Sequence, residues 1–200
     1  MTRANTREEI LSAALALFTE IGYEATTIAL IQSRSGASIG SIYHHFGSKE
    51  GIAEALCDEG IQLYRDRLKA LLTEHEGAPR AGISAAIRHH LEWIEENRDL
   101  AQFLSDRGLS SWRTIQSRDS RAFGETISAA FSSWMAPHVA AGRIKPLSHT
   151  VLTAWIIGPA QFISGAWLAG RDEARPTSYA EGLSDIGWIA LAGHRSADDY

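Results

Sequence analysis

The segment from residue 38 to residue 46 combines hydroxyl, phenol and imidazole side chains, which can hydrogen-bond to phosphates and to base edges. On a helix turning about 100° per residue, its apolar residues share one face: Ile39, Ile42 and Phe46. Its smaller and more polar residues share the other: Gly40, Ser41 and His44, flanked by Tyr43 and His45. The second face suits close approach to a DNA groove, although an ordinary surface helix of a small bundle has the same pattern.

The residues around this segment predict the elements that position it. Gly36 stands where a preceding short helix must end in a left-handed conformation, and Ser38 is suited to N-cap the next helix. Two short helices around a glycine turn have the layout of a helix-turn-helix.

Lys49 follows a further predicted N-cap, Ser48, and therefore lies in the first turn of a third helix. A positive charge there opposes the helix dipole and costs up to ~1 kcal/mol. A helix N-terminus attracts phosphate, and an added lysine strengthens that site. We therefore expect Lys49 to contact a DNA phosphate, and the alternative is a solvated lysine that points away.

The N-terminal residues predict a helix on which this unit packs. Thr6 to Glu9 form a capping box, and apolar residues follow at helical spacing before Gly22: Ile10, Ala14, Leu17, Phe18 and Ile21. The result is a three-helix unit with its own core.

The run Thr-Thr-Ile-x-x-Ile and the later run Ser-Gly-Ala-Ser-x-Gly-Ser-Ile-Tyr-His-His-Phe-Gly-Ser-Lys-Glu closely resemble the DNA-binding domain of TetR-family transcriptional regulators. The resemblance covers residues 6 to 55 or so, and it implies that the segment from 38 to 46 is the recognition helix. It also implies which residues meet DNA, with Thr27 and Lys49 on the backbone: Thr27, Ser38, Gly40, Ser41, Tyr43, His44 and Lys49.

Some positions depart from the family pattern, among them Gln32 and Ser35, where small apolar residues are more usual. The first helix of the motif commonly begins Thr-x-x-Asp or Glu, whereas Leu30 follows Thr27 here, so the reciprocal cap is absent. Ile39 occupies a position that is often basic or polar. An unusual preference for DNA sequence is therefore expected.

Net charge limits how such a unit can bind DNA. The chain of 200 residues has a formal net charge of −5, and residues 1 to 50 carry four basic and five acidic side chains. Affinity must come from placed contacts rather than from bulk charge, with marked salt sensitivity. One recognition helix covers few base pairs, so a dimer is needed for useful specificity.

The rest of the chain predicts further helices and no strands, so the expected fold is all-α. A long helix from about 51 to 74 connects a DNA-binding domain, residues 1–50, to an effector-binding and dimerisation domain, residues 75–200. The helices expected in the second domain are 82–97, 99–107, 118–141, 146–170 and 177–194.

The stretch from Leu147 to Gly170 contains no Asp, Glu, Lys or Arg and is long enough to span a bilayer. Its several polar and small residues favour a soluble helix that is buried on more than one side. In TetR-like proteins the last two long helices pair with their symmetry mates, which implies a homodimer built from this stretch and residues 178–194, with no membrane partner.

Six tryptophans all lie beyond residue 92, and such bulk could line a cavity for a small, largely apolar effector. The predicted lining residues are aromatic: Trp93, Phe103, Phe131, Trp134, Trp155 and Phe162. Each could instead be an ordinary core or interface residue.

Signatures of catalysis and metal binding are missing from the sequence. Cys57 is the only cysteine, adjacent histidines diverge on a helix, and no phosphate loop or nucleophile elbow occurs. We therefore expect no enzyme activity, no cofactor and no metal, but a cytoplasmic, ligand-responsive homodimeric repressor on a palindromic operator. The alternative is a helical small-molecule-binding protein or enzyme whose N-terminal helices are only structural.

Overall fold

The computed structural model describes residues 3–106 and 131–193, in which the secondary structure is helical apart from one isolated bridge between Ile144 and Ala192. The helices of these residues are α1 (Arg3–Ile21), α2 (Ile28–Ser35), α3 (Ile39–Phe46), α4 (Lys49–Glu74), α5 (Pro79–Glu96), α6 (Arg98–Asp106), α7 (131–140), α8 (His149–Leu168) and α9 (Ala180–Leu191). A 3-10 turn, Pro176–Tyr179, precedes α9. The expected all-α fold is confirmed.

Most helices begin and end within a few residues of the boundaries predicted from the sequence. Pro79 opens α5, where its missing N–H costs nothing. Pro159 lies inside α8 without ending the helix. The carbonyl that it leaves without a helical donor belongs to Trp155, whose position is half exposed, so water can bind it. Of the predicted helix 118–141, only α7 falls within the described residues.

The described chain divides into two compact units. The N-terminal unit comprises residues 3–62 and 98–106, and the C-terminal unit comprises residues 63–97 and 131–193. This division differs from the one expected at residues 50 and 75, because α6 packs with the N-terminal unit. The ring of Phe103 on α6 is 3% exposed and stacks on Phe18 with centroids 5.0 Å apart.

The N-terminal unit is organised around α1, which packs against α2, α3 and α6. One fully buried isoleucine from each of the first four helices forms its centre: Ile10, Ile31, Ile42 and Ile52. Gly36 ends α2 with a φ of 69°, and its N–H donates to the carbonyl oxygen of Gln32 at 3.0 Å. The predicted helix-turn-helix is therefore formed by α2 and α3.

The C-terminal unit is centred on α5, which packs against both α8 and α9. Each of these helices contributes fully or nearly fully buried aliphatic residues to one core, among them Ile83, Ile87, Leu91, Ile156 and Leu191. The opposite faces of α8 and α9 are uncovered in the single chain.

Candidate nucleic-acid interface

The hydroxyl groups of Thr27 and Ser38 cap the two helices of the motif. The backbone N–H of Leu30 donates to Thr27 Oγ1 at 3.3 Å, and that of Ser41 donates to Ser38 Oγ at 3.1 Å. In each cap the hydroxyl oxygen is an acceptor, so its own O–H can still donate to a phosphate oxygen. Thr27 keeps this cap although the reciprocal acidic residue is absent from the sequence.

Burial of Ile42 sets the rotation of α3 and therefore decides which residues face outward. Ile42 is 0% exposed, whereas Tyr43 is 51% and Ile39 is 48% exposed. The expectation that Ile39 packs with Ile42 is wrong, because the two side chains lie 60° apart around the helix and only Ile42 reaches the core. The exposed face of α3 consists of Ile39, Gly40, Tyr43 and His44, and Ser41 is half-buried at its edge.

Two glycines of the motif differ in what surrounds them. A Cβ at Gly51 would lie 2.0 Å from the carbonyl oxygen of Phe46, so only glycine allows the start of α4 to touch the end of α3. A Cβ at Gly40 would meet only Ser38 Oγ, at 3.9 Å. Among the described residues nothing requires the absence of a side chain at Gly40, which leaves the backbone of α3 open to a partner.

Lys49 is engaged with the loop before α2. Its Nζ donates to the carbonyl oxygens of Tyr23 at 2.8 Å and Thr26 at 2.9 Å, with that of Glu24 at 3.5 Å. The ammonium also lies 4.2 Å from the centroid of the Tyr23 ring. Because these carbonyls take all three of its donors, the structure does not give Lys49 the free ammonium that the expected phosphate contact requires.

The start of α4 and the loop before α2 are joined a second time through Glu50. Tyr23 Oη donates to Glu50 Oε1 at 3.1 Å, and the N–H of Gly51 donates to Ser48 Oγ at 3.2 Å, which confirms the predicted cap. Hydrogen bonds from its own backbone N–H and from Ser48 hold the pKa of Glu50 below its usual value. These contacts fix the loop that ends at Thr27.

Two arginines of the N-terminal unit are also paired. Arg7 forms an ion pair with Glu59 and lies 5.4 Å from the centroid of the Phe46 ring. Arg34 Nη2 donates to Glu20 Oε1 at 2.7 Å. DNA contact by either arginine would have to compete with these exposed pairs, each of which is worth little in water. Hydroxyl, phenol and imidazole groups are therefore the principal uncommitted donors of α3.

The six aromatic residues expected to line an effector cavity do not come together. Phe103 belongs to the N-terminal unit, where it stacks on Phe18. Trp155 and Phe162 are 47% and 75% exposed on the outer face of α8, because the helix buries the side that carries Ile156. The sequence pattern could not separate these two faces, since both are apolar.

Phe131, Trp134 and Trp93 do lie in the C-terminal unit. Phe131 and Trp134 are buried with their ring centroids 6.0 Å apart and belong to the core. Trp134 packs directly over Gly82, where a Cβ would lie 2.2 Å from its ring. Trp93 is half-buried and meets Tyr64 edge-on at 5.6 Å. Trp134 also meets the fully buried ring of His138 edge-on at 4.8 Å, and Trp93 borders a group of buried polar side chains.

That polar group, Tyr64, His89 and His90, was not identified from the sequence, where the adjacent histidines were considered only as metal ligands. His89 Nε2 donates to the carbonyl oxygen of Tyr64 at 2.9 Å, and Tyr64 Oη lies 3.3 Å from His90 Nδ1. His90 is 6% exposed, and its Nε2 is buried without a hydrogen-bond partner. The available signal was that His89 and His90 lie between Ile87 and Leu91, two apolar residues that α5 buries.

Burial sets the protonation of these groups. It lowers the pKa of His90 to about 4, helped by the neighbouring His89 and opposed by Gln161, and it raises the pKa of Tyr64. The pKa of His89 is lowered by the same cause. At neutral pH, Tyr64 is a phenol and His90 a neutral ring. When Tyr64 donates to Nδ1, the ring proton is on Nε2.

The outer faces of α8 and α9 carry large apolar residues that the single chain leaves in water. We call them the α8–α9 apolar surface, which consists of Val151, Trp155 and Phe162 on α8 and Ile186 and Ile189 on α9. Small residues lie between them, including Gly158 and Gly182, where an added Cβ would meet nothing. This is the pattern of a close helix–helix contact.

One helix among the described residues, Thr150–Leu168, is long and apolar enough to cross a membrane by length and composition alone. It is 29% buried over the tested window, and core helices of soluble proteins meet the same criterion. In the same residues no group of three His, Cys, Asp or Glu side chains could hold a metal ion.

A cavity of about 860 Å³ opens between α5 and α9. Its polar and aromatic lining includes Arg80, Arg88, Arg143, Asp185 and Trp188. Arg80 Nη2 donates to Asp185 at 3.0 Å, and Arg143 Nη1 donates to the carbonyl oxygen of Gly77 at 3.0 Å. None of the predicted aromatic residues lines this cavity.

Comparison with known proteins bears on both units. Residues 10–56 match the family model described as bacterial regulatory proteins, tetR family. The chain is 46% identical over 55 residues to the transcriptional repressor AcnR of Corynebacterium glutamicum, which covers 28% of this chain and 29% of that protein. It is 33% identical over 122 residues to the transcriptional repressor KstR2 of Mycobacterium tuberculosis, covering 58% and 60% of the two chains. Both matches span less than two thirds of the relative.

The fold extends further than these sequence matches. The crystal structure of the Bacillus subtilis transcriptional regulator FadR in complex with stearoyl-CoA superposes with a TM-score of 0.76 at 18% identity, covering 90% of this chain and 96% of that one. The helix-turn-helix with its capped α3, the family model over residues 10–56 and the shared all-α fold agree. Residues 10–56 of the chain are therefore similar to the tetR family of bacterial regulatory proteins, and the described residues share the fold of FadR.

Proposed function

We propose that the protein is a homodimeric, DNA-binding transcriptional repressor that acts in the bacterial cytoplasm. The observation that carries the proposal is the exposed face of α3, where Tyr43, His44 and Gly40 are uncovered while Ile42 anchors the helix from behind. An exposed helix with uncommitted hydrogen-bond donors and little bulk suits the major groove. The relatives AcnR and KstR2 are named as transcriptional repressors.

Each DNA-contact residue has a distinct role in this proposal. Thr27 and Ser38 donate their hydroxyl protons to phosphates from the caps of α2 and α3, and Tyr43 donates its phenol. His44 and Ser41 face base edges, with Gly40 admitting the backbone. Lys49 acts from behind by holding the loop from Tyr23 to Thr26, so it positions Thr27 and does not itself bind phosphate.

A second copy of the chain completes the interface. The α8–α9 apolar surface is the face that we propose to be buried by an isologous partner, because its large side chains alternate with small residues that admit another helix. Two recognition helices related by two-fold symmetry would then meet successive major grooves about 34 Å apart, which requires a palindromic operator.

The effector in this proposal is a small, largely apolar molecule bound within the C-terminal unit beside Trp93. The unpartnered Nε2 of His90 and the phenol of Tyr64 offer one polar position in an apolar surrounding. Such a site suits a molecule with a single hydrogen-bonding group. FadR of Bacillus subtilis was solved with stearoyl-CoA, so fatty acyl thioesters are a suitable first class of probe.

Selection from a random-sequence duplex library tests the proposal. The purified protein should enrich a palindrome whose half-sites lie about one helical turn apart. Binding should weaken steeply with salt. The variant Ile189→Glu alters only the α8–α9 apolar surface. It should fold but no longer enrich the palindrome. Enrichment of no sequence by the wild-type dimer would remove the DNA-binding proposal and favour a small-molecule-binding protein with a structural N-terminal unit.

A further inference from the structure

Ile39 is the one large aliphatic side chain on the exposed face of α3. It lies in the first turn, next to the cap residue Ser38, and is 48% exposed. Its neighbours on that face, Tyr43 and His44, carry polar atoms, and the fully buried Ile42 supplies the anchor of the helix. Core packing therefore does not account for an isoleucine at this position.

An aliphatic side chain offers nothing to a phosphate, which needs a hydrogen-bond donor or a charge. Among the groups in the major groove, the thymine methyl is the apolar one, and apolar side chains contact it. The neighbouring Gly40 leaves the backbone uncovered, since an added Cβ there would meet only Ser38 Oγ at 3.9 Å. The first turn of α3 can therefore approach a base edge closely enough for an aliphatic contact.

We propose that Ile39 reads a thymine methyl group once in each half-site. This inference rests on the proposed DNA binding and names what the first turn of the recognition helix recognises. The contact excludes water from both groups and adds no hydrogen bond, so it selects thymine over cytosine and over uracil at one position. Hydroxyl and imidazole groups elsewhere on α3 do not make this distinction.

Replacement of thymine by deoxyuridine tests the proposal, because it removes the methyl group and leaves base pairing unchanged. Each thymine of the selected palindrome is replaced singly, and dissociation constants are measured at one salt concentration. Burial of one methyl group is worth about 0.8 kcal/mol, so binding should weaken about fourfold per half-site at one thymine. Replacement at the other thymines should change binding little.

Two variants make the assignment specific to Ile39. Ile39→Ala and Ile39→Gln should each bind the thymine duplex and the deoxyuridine duplex with the same affinity, because the side chain that contacts the methyl group is removed. Both variants should fold, since Ile39 is exposed and adds little to stability. Tyr43→Phe, a matched change one turn away, should keep the fourfold preference. Melting temperatures verify that the variants are folded.

The outcomes separate the two proposals. A selected palindrome that binds equally well with and without every thymine methyl would overturn the role of Ile39 and leave DNA binding intact. A methyl preference that persists in both Ile39 variants would also overturn it, because another group would then be the reader. Failure of the wild-type protein to select any DNA would remove the proposed function itself.

Discussion

The exposed faces of α3 and of α8 and α9 are both left uncovered by the single chain, but their chemistry is opposite. On α3, phenol and imidazole groups surround one aliphatic residue, and the backbone is bare at Gly40. On α8 and α9, large apolar residues such as Phe162 and Ile189 alternate with small ones. Polar groups on α3 can replace hydrogen bonds to water with hydrogen bonds to phosphates and bases. The apolar residues of α8 and α9 gain free energy only when a partner removes them from water.

The interiors of the two units differ as well. In the N-terminal unit Lys49 donates to the carbonyls of Tyr23 and Thr26, although Glu9 Oε2 on α1 is buried without a partner. In the C-terminal unit His90 has a buried nitrogen without a partner. The hydrogen bonds of Lys49 fix one geometry for the loop before α2, whereas the unsatisfied nitrogen of His90 is a group that a ligand can stabilise. Substitutions in each unit can test this difference.

The largest effect is expected from Phe162→Glu, which places a carboxylate in the proposed dimer interface. An uncompensated buried charge costs several kcal/mol, so dimer dissociation should become easier by on the order of a thousandfold. Sedimentation equilibrium measures the change. Thr150→Glu, at an exposed position on another side of α8, is the matched control and should remain dimeric. If Phe162→Glu dimerises as tightly as wild type, Phe162 does not lie in the dimer interface.

The next effect concerns the buried histidines of the C-terminal unit. Because the pKa of His90 is lowered to about 4 in the folded chain, the unfolded chain binds more protons between about pH 6.5 and pH 4. Its stabilising contribution is therefore present above pH 6.5 and is lost as the pH falls toward 4. Protonation of His90 should lower the free energy of unfolding by about 3 kcal/mol over this pH range, and His89 changes stability in the same direction.

Chemical denaturation of wild type and His90→Gln between pH 7 and pH 4.5 measures that loss. The variant should show a shallower dependence of unfolding free energy on pH. Leu91→Ala, which truncates a fully buried neighbour, should lower the free energy of unfolding at all pH values without changing the slope. Equal slopes in wild type and His90→Gln would show that His90 is not kept neutral by burial.

A smaller effect is expected from Lys49→Met, which keeps the apolar stem and removes the ammonium. Loss of charged hydrogen bonds to the Tyr23 and Thr26 carbonyls should destabilise the N-terminal unit by about 1–3 kcal/mol. DNA binding should weaken, but the slope of log K against log salt should be unchanged. A direct phosphate contact would instead reduce that slope by about 0.9 per protomer. Lys49→Arg is the charge-conserving control and should retain part of the affinity.

The smallest effect is expected from Tyr43→Phe, which removes one exposed hydroxyl from α3. The phenol donates to a phosphate in our proposal, so binding should weaken by roughly tenfold or less on every sequence, with no change in preference. Ser41→Ala should instead alter which sequences are preferred. Parallel titrations of the selected palindrome and single-base variants distinguish the two, and a uniform loss in both variants would contradict the role of Ser41.

Local rules account for what could be predicted. The cap at Ser38, the left-handed turn at Gly36 and the helix start at Ser48 depend on neighbours within four residues, and the structure has all three. The burial of Ile42 follows from the spacing of apolar residues along one helix. The sequence also predicted the all-α fold, whereas the candidate DNA-contact residues follow from its resemblance to the TetR family and stay a prediction.

What the sequence by itself determined was the order of the helices, their caps and the segment that carries the recognition helix, because these depend on short-range geometry. The tertiary structure alone decided that Ile39 is exposed, that Lys49 binds carbonyls more than twenty residues away, and that Phe162 lies on an outer face. In each case the deciding neighbour is distant in the chain. An apolar or charged side chain in the sequence does not reveal which surface it will meet.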